Sequence, residues 1–332
     1  MTHGKRPTIA LIALGGTIAM TPTASGPGVT PALTADDLVA TVPGLYRVNA
    51  TVRARSFRTV PGASLTFEDL TELADLIDTI TQHGIDGVVV TQGTDTLEET
   101  AYFLDITTTT TVPVVVTGAM RNPSLAGADG PANLLAAIQV AAHPAAPHDL
   151  GAVVVMADEI HAARHVRKTH TTSTGAFTSP GAGPIGLVVE GKPRYLNQPR
   201  PRLRIGLGDA KPVVPLVTAT LGDDFHLLRP VRDDIDGLVV AAFGVGHVPA
   251  GTVDLVHGYA KRVPVVLASR TGAGPIHRSS YSFAGSEYDL QQRDLLNAGF
   301  LDPLKARILL RQLLATHTSR KTIAETFDGL EH

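Results

Sequence analysis

The chain contains no cysteine and no tryptophan. Without cysteine there is no disulfide framework, no Cys-ligated zinc and no thiol nucleophile. Aromatic residues make up 5% of the chain, which leaves little for base-stacking platforms. A basic surplus is also missing. Lys and Arg number 28 against 31 Asp and Glu, a net charge of −3, whereas a nucleic-acid binder normally shows the opposite balance. Long apolar runs are absent as well. Ile9–Leu14 follows Lys5 and Arg6 as a secretory leader core would, but Gly15-Gly16 ends it after six residues. That is short for a leader and far below the roughly 18 residues of a membrane span. The short apolar run predicts a cytoplasmic protein without a cleaved signal or a membrane span, and the charge balance predicts no nucleic-acid partner; the lack of cysteine does not decide the compartment.

What remains is the composition of a folded globule. The 332 residues are 43% apolar and 18% charged, enough for two domains or one large one. Short apolar runs alternate with helical patterns. Ile9–Leu14, Gly87–Val90, Pro113–Val116 and Ala152–Met156 read as buried strands. Leu65–Ile80 carries Leu70, Leu73, Ala74, Ile77 and Ile80 at helical spacing, with Thr66 as N-cap and Gly84 beyond its end. Thr96-Leu97-Glu98-Glu99 reads as a capping box opening a helix to about Asp105. Asp129 is placed to cap a helix over Pro131–Ala142. This alternation predicts an α/β fold: a large N-terminal domain with a mostly parallel sheet flanked by helices.

Residues Gly191 to Arg204 bring five basic residues, three prolines and no acid. They read as an inter-domain connection, giving an N-terminal domain over 1–190, a linker over 191–212 and a smaller C-terminal α/β domain over 213–332. The second half repeats the pattern in Leu238–Ala242, Thr252–Lys261 and Val263–Ala268. A last helix opens at Phe300-Leu301-Asp302-Pro303.

Ligands of open α/β sheets sit beyond the carboxyl ends of the strands. There the first strand is followed by Gly15-Gly16-Thr17, and the Val88–Val90 strand by Thr91-Gln92-Gly93-Thr94-Asp95. Each junction sets a threonine hydroxyl directly after glycine, where backbone approaches a ligand closely. Thr117-Gly118-Ala119 follows a third strand, and Arg164, Arg167 and Lys168 a fourth. A threonine hydroxyl becomes a nucleophile only when a base takes its proton. A lysine near an aspartate is a candidate for that base, and glycine-flanked N–H groups can hold an oxyanion. Thr17, Thr94, Asp95 and Lys168 together suit acyl transfer. Taken singly, each has a plainer role: a turn, a helix entry or a solvated charge. His161 and His165 stand four apart, but no third ligand and no adjacent glutamate support a metal site.

These stretches resemble the bacterial-type L-asparaginase family. The similarity lies in Gly15–Ala19, in Thr91–Ala101, in Val116–Arg121, in Ala128–Leu134, in Lys168-Thr169 with Thr171-Thr172, and in Phe300–Arg307, in the family's order across nearly the whole chain. The resemblance implies hydrolysis of L-asparagine to L-aspartate and ammonia, with no metal or organic cofactor. Thr17 takes the place of the family's first nucleophile. Thr94, Asp95 and Lys168 take those of its second threonine and supporting pair, and Asp95 also that of a ligand for the substrate's α-amino group. Gly16, Gly62, Ala63, Ser64, Gly93, Thr94, Asp95 and Ala119 then surround the substrate. The family builds homodimers, often paired into homotetramers, and completes its sites at the interface. That lets Tyr281, Glu287 and Tyr288 of the smaller domain reach a partner's site.

Three departures stand out. The loop Met20–Thr34 lacks the tyrosine many members set beside the first threonine, and its Gly26-Pro27-Gly28 suggests a mobile lid. Pro61-Gly62-Ala63-Ser64 puts Gly62 where a serine usually meets the α-carboxylate. Gly244-Val245-Gly246-His247 replaces an asparagine-bearing version. Tyr281 and Tyr288 are candidates to replace the lid tyrosine, with ordinary packing as the simpler role for either. An asparaginase with weak glutaminase activity therefore stands beside two alternatives: an amidase for a larger amide, and a catalytically silent asparagine or aspartate sensor.

Overall fold

Runs of Val, Ile and Ala, each too short for a helix and bounded by turn residues, become the central strands. A computed structural model describes residues 6–22, 28–144, 146–147, 149–197, 202–229 and 234–331. The chain divides into two units, one ending at Arg204 and one beginning at Ile205.

In the first unit the order is β1 Thr8–Ala13, β2 Met20–Pro22, β3 Val29–Pro31, α1 Ala35–Ala40, β4 Thr51–Ser56, α2 Phe67–Thr81, β5 Gly87–Thr91, α3 Leu97–Thr107, β6 Val114–Thr117, α4 Gly130–Ala141 and β7 Ala152–Met156. The short strands β8 Glu159–Ala162, β9 Arg167–Lys168, β10 Phe177–Thr178, β11 Gly186–Val189 and β12 Lys192–Tyr195 follow. Eight strands form one sheet in the order β12-β11-β8-β7-β6-β5-β1-β4. From β7 to β4 every pairing is parallel, and from β7 to β12 every pairing is antiparallel. Alternate strand residues face opposite sides. Ile9, Leu11, Val89, Val115 and Val153 pack with Leu38 of α1 and Leu134, Ala137 and Ile138 of α4. Buried Leu70, Leu73 and Ile77 of α2 and Leu97, Ala101 and Leu104 of α3 serve the other side.

The chain runs from β1 to β4 on one side of it, then returns to β5 on the other. In such sheets a reversal of this kind, at the carboxyl ends of β1 and β5, marks the usual ligand position.

The second unit holds β13 Leu216–Thr218, β14 Leu238–Ala242, α5 Val253–Ala260, β15 Val265–Ser269, α6 Glu287–Gln291, β16 Leu296–Asn297, α7 Pro303–Ala315 and α8 Arg320–Asp328. Its four strands are parallel and in sequence order. Val253, Val256 and Tyr259 of α5 close its core over Leu238, Val240, Val265 and Leu267.

The structure departs from the sequence expectations in five places. The stretch read as a linker from residue 191 begins as strand β12, paired with β11, and the first unit continues to Arg204. Thr96 does not cap α3; its hydroxyl donates instead to the Gly62 carbonyl. Asp129 stands at the N-cap of α4, but its carboxylate takes N–H groups from the preceding loop. The helix opening at Pro303 is followed by another, α8. His161 lies on a strand, so its spacing to His165 is not that of a helix face. Of the expected lid, Gly26 and Pro27 lie outside the described residues; β2 and β3 pair antiparallel on either side. Thr66 caps α2 in a reciprocal capping box with Asp69, so that expectation holds in detail.

Candidate active site

Three glycines bring the strand ends together. Gly16 has φ +80°, a backbone that L side chains rarely adopt, and a Cβ there would lie 2.1 Å from the Gly93 nitrogen. A Cβ on Gly93 would lie 2.7 Å from the Gly62 nitrogen. Only hydrogen fits at these contacts. Thr17 and Thr94 each follow one of the touching glycines, so backbone packing sets the two threonines at adjoining positions. Leu14 N–H donates to the Thr91 carbonyl at 2.8 Å, closing the two strand ends together. Thr17 is half-buried and opens a short 3₁₀ turn; Thr94 is buried. Gln92, fully buried, donates through Nε2 to the Gly93 carbonyl at 3.2 Å. Ala63 and Ser64 are exposed in the turn after Gly62, and the Ser64 N–H already donates to Pro61 O.

Lys168 arrives from far along the chain. Its Nζ donates to Thr94 Oγ1 at 2.9 Å and to Asp95 Oδ1 at 2.7 Å. The lysine side chain is 17% exposed and that of Asp95 65% exposed. Asp95 thus offers a carboxylate to solvent while one oxygen holds the ammonium. Glu98, one helical turn after Asp95 and buried, accepts the Lys168 backbone N–H at 3.1 Å.

The loop after β6 completes this end of the sheet. Gly118 packs on the Gln92 carbonyl, where a Cβ would lie 2.7 Å away. Asp129 accepts the N–H groups of Met120 and Arg121 at 3.0 and 2.8 Å. Asn133 donates to Gly118 O and Asp129 Oδ2, both at 3.0 Å, and accepts from Ala157 N–H. Buried Ala119 is therefore fixed from both sides. The sequence reading missed Glu98, Gly118, Asp129 and Asn133 as site-shaping residues. Polar side chains three or four residues apart across a helix entry, Asp95 with Glu98 and Asp129 with Asn133, were the available signal.

Within the second unit, Glu287 is fully buried. Its Oε1 accepts Ser280 and Tyr281 N–H groups at 2.7 and 2.8 Å, and Oε2 lies 3.0 Å from His247 Nε2. Burial works to raise the carboxyl pKa, but the N–H groups of Tyr281, Glu287 and Ser280, with His247, outweigh it and hold it below the usual range. Tyr281 and Phe283 meet the His247 ring edge-on at 5.0 and 4.9 Å. Tyr281 and Tyr288 are 49% and 42% exposed, so neither is an ordinary core aromatic. Both Glu287 oxygens are engaged, and His247 carries the partly exposed polar edge of this cluster. Among the described residues no group of three His, Asp or Glu side chains is arranged to hold a metal.

Hydroxyls, a lysine and a carboxylate at the switch point of a doubly wound sheet, joined to a second parallel-sheet unit, define a class of two-unit α/β enzymes. Comparison with known proteins narrows the class. The family profile described as Asparaginase, N-terminal, matches residues 8–201, and that of the Glutaminase/Asparaginase C-terminal domain matches residues 213–327. The chain is 38% identical over 325 residues to a probable L-asparaginase of Deinococcus radiodurans, covering 97% of each. It is 33% identical to a probable periplasmic L-asparaginase of Haemophilus influenzae, covering 97% of this chain and 93% of that one. A crystal structure of a probable cytoplasmic L-asparaginase from Campylobacter jejuni superposes with a TM-score of 0.86 at 31% identity, covering 97% of this chain and 99% of the other. The chain belongs to the bacterial-type L-asparaginase family.

Proposed function

We propose that this protein hydrolyses L-asparagine to L-aspartate and ammonia, with glutamine hydrolysis as a weaker side activity. The observation that carries the reading is the Lys168 contact with Thr94 and Asp95, set beside Thr17 by the Gly16–Gly93 packing. Family membership and the names of the relatives support the substrate.

In this reading Thr17 Oγ attacks the side-chain amide carbon. The hydroxyl proton passes to the leaving nitrogen, ammonia departs, and an acyl-threonine ester remains. Water then attacks the ester, and L-aspartate leaves with the hydroxyl restored. Thr94, Asp95 and Lys168 form the proton-handling set. Lys168 donates to both neighbours in the resting site, so it accepts the Thr94 proton only after releasing one of its own. Asp95, largely exposed and anionic, suits the substrate α-amino group. Backbone N–H groups around Gly62 and Ala63, with the Ser64 hydroxyl, face the α-carboxylate, and Gly16, Gly93 and Ala119 border the amide. No metal or organic cofactor takes part.

The working unit is a homodimer or homotetramer in the cytoplasm, in which the His247, Tyr281, Glu287 and Tyr288 cluster of one copy borders the site of another. The half-exposed aromatics support the shared site, and the relative named probable cytoplasmic supports the compartment; the Haemophilus relative is named probable periplasmic. No helix among the described residues is long and apolar enough to cross a membrane.

The test is release of ammonia and aspartate from L-asparagine by purified protein treated with EDTA. Turnover is expected, with slower release from L-glutamine. Binding of asparagine without turnover would favour the sensor reading instead.

A further inference from the structure

Lys168 sits on β9, a two-residue strand outside the eight-stranded sheet. Among the described residues its strand partner is the equally short β10. A four-carbon stem on so small a support does not aim an ammonium by itself, because a long side chain has many rotamers to lose. Something must fix the lysine backbone relative to Thr94 and Asp95.

The first turn of α3 carries a carboxylate suited to that task. Glu98 is 5% exposed and accepts the Lys168 N–H at 3.1 Å across 70 residues of sequence. Thr94, Asp95 and Glu98 therefore supply an acceptor each to one residue: two to its Nζ and one to its backbone. Glu98 lies in the first turn of α3, directly after the 3₁₀ turn Thr94–Thr96, so the three acceptors come from one short stretch of chain. A carboxylate suits the post, since an ionised acceptor makes the stronger bond and the helix N-terminus favours its charge.

We infer that Glu98 is a positioning residue, which locks the β9 backbone so that Lys168 Nζ reaches both Thr94 and Asp95. This rests on the reading of Lys168 as part of the reacting set. Glu98 touches no substrate in this account and acts only through Lys168.

The experiment is a double-mutant cycle on asparagine turnover, with folding followed by thermal melting. Glu98→Met removes the acceptor at similar length; Glu98→Gln keeps a carbonyl oxygen; Glu98→Asp withdraws the carboxylate by one methylene. Misplacing a reacting group by about 1 Å costs up to ~100-fold, so Glu98→Met is expected to lower kcat by roughly 10- to 100-fold with KM little changed. Glu98→Gln is expected to restore most of that loss. In a Lys168→Met background, Glu98→Met is expected to add less than about two-fold, because residues acting through one group are not additive. If Glu98→Met does not fold, Glu98→Asp enters the same cycle. Losses that multiply in the double variant, or full kcat in folded Glu98→Met, overturn the proposal while leaving Lys168 in place. Full activity in Lys168→Met alone overturns the Lys168 reading and this proposal with it.

Discussion

Gly16 and Gly93 touch so closely that a methyl group on Gly16 would lie 2.1 Å from the Gly93 nitrogen. Gly16 also holds φ +80° with ψ −175°, a backbone region essentially confined to glycine. Gly84, just beyond α2, has a similar φ of +86° with nothing within 4 Å of its Cβ position. Both positions have positive φ, but only Gly16 adds a collision to the backbone strain. Gly84→Ala is expected to cost about 1–2 kcal/mol, the price of the left-handed backbone alone. Gly16→Ala adds an overlap with backbone that cannot rotate away, so it is expected to cost at least about 1 kcal/mol more and to abolish turnover. Urea midpoints and asparagine turnover of the two variants check this; equal losses of stability would show that the contact is not tight in solution.

Thr17 is expected to be dispensable for folding and indispensable for chemistry. It is half-buried, and Gly16, not its side chain, makes the strand-end contact. Thr17→Ala should keep a melting temperature within a few degrees, an effect of about 1 kcal/mol or less, and lose several orders of magnitude in turnover. Near-normal turnover in the folded variant would remove Thr17 from the reaction.

Lys168 offers a choice between base and anchor. Lys168→Met removes both roles, while Lys168→Arg keeps the charge opposite Asp95 without a group that gives up its proton. If proton transfer through Nζ is required, both variants lose turnover alike. Clearly higher activity in the arginine form would assign Lys168 an electrostatic role, holding Thr94 and Asp95 in place. Steady-state rates across pH 6–9 (a range of about three units around neutrality) separate the two outcomes.

Two groups of the first unit give pH-dependent stability of opposite sign. Burial pushes the Asp105 carboxyl up to about 6, against the Ala152 N–H and the charges of Arg202 and Arg164. The native state therefore keeps this proton where the unfolded chain, at its ordinary 3.8, has lost it, and stability falls as pH rises from about 4 to about 6. His161 contacts Ser179 Oγ at 3.0 Å and Glu159 Oε2 at 3.1 Å, and burial, against that carboxylate, pushes its imidazole down to about 4. There the unfolded chain, at 6.5, takes up a proton that the native state refuses, so stability rises with pH over the same interval. The two contributions offset. Asp105→Asn is expected to unmask a rise in stability between pH 4 and 6, and His161→Gln to unmask a fall, relative to the parent (an interval of about two units). Urea denaturation at several pH values measures both slopes; parallel slopes in the two variants would refute the assignment.

Local chemistry explains what could be read in advance. The apolar spacing of Leu70, Leu73, Ala74 and Ile77, and the Thr66–Asp69 box that starts their helix, involve residues within a turn or two of each other. The Gly-Thr pairs at 16–17 and 93–94 stood out because each follows an apolar run, and the sheet rule assigns such junctions to ligands. Thr96 shows the opposite case. Its sequence neighbours suggest a cap, yet its hydroxyl serves Gly62, 34 residues earlier, because β4 leads the chain back to that spot. Likewise β12, Lys-Pro-Arg-Tyr at the sheet edge, carries too few apolar residues to announce a strand, since an outer strand buries less surface than a central one.

The sequence by itself determined the alternation of strands and helices, the two-unit division in outline, and the residue types at the strand ends, because each depends on periodicity and short-range backbone preference. Tertiary structure alone decided which of those residues meet. Lys168 reaches Thr94 across 74 residues, Gly16 rests on Gly93, and Glu98 holds the lysine backbone. Such contacts follow from sheet order and the turn of the chain at β1, and hydrogen bonds between distant residues leave no periodic trace in the sequence they join.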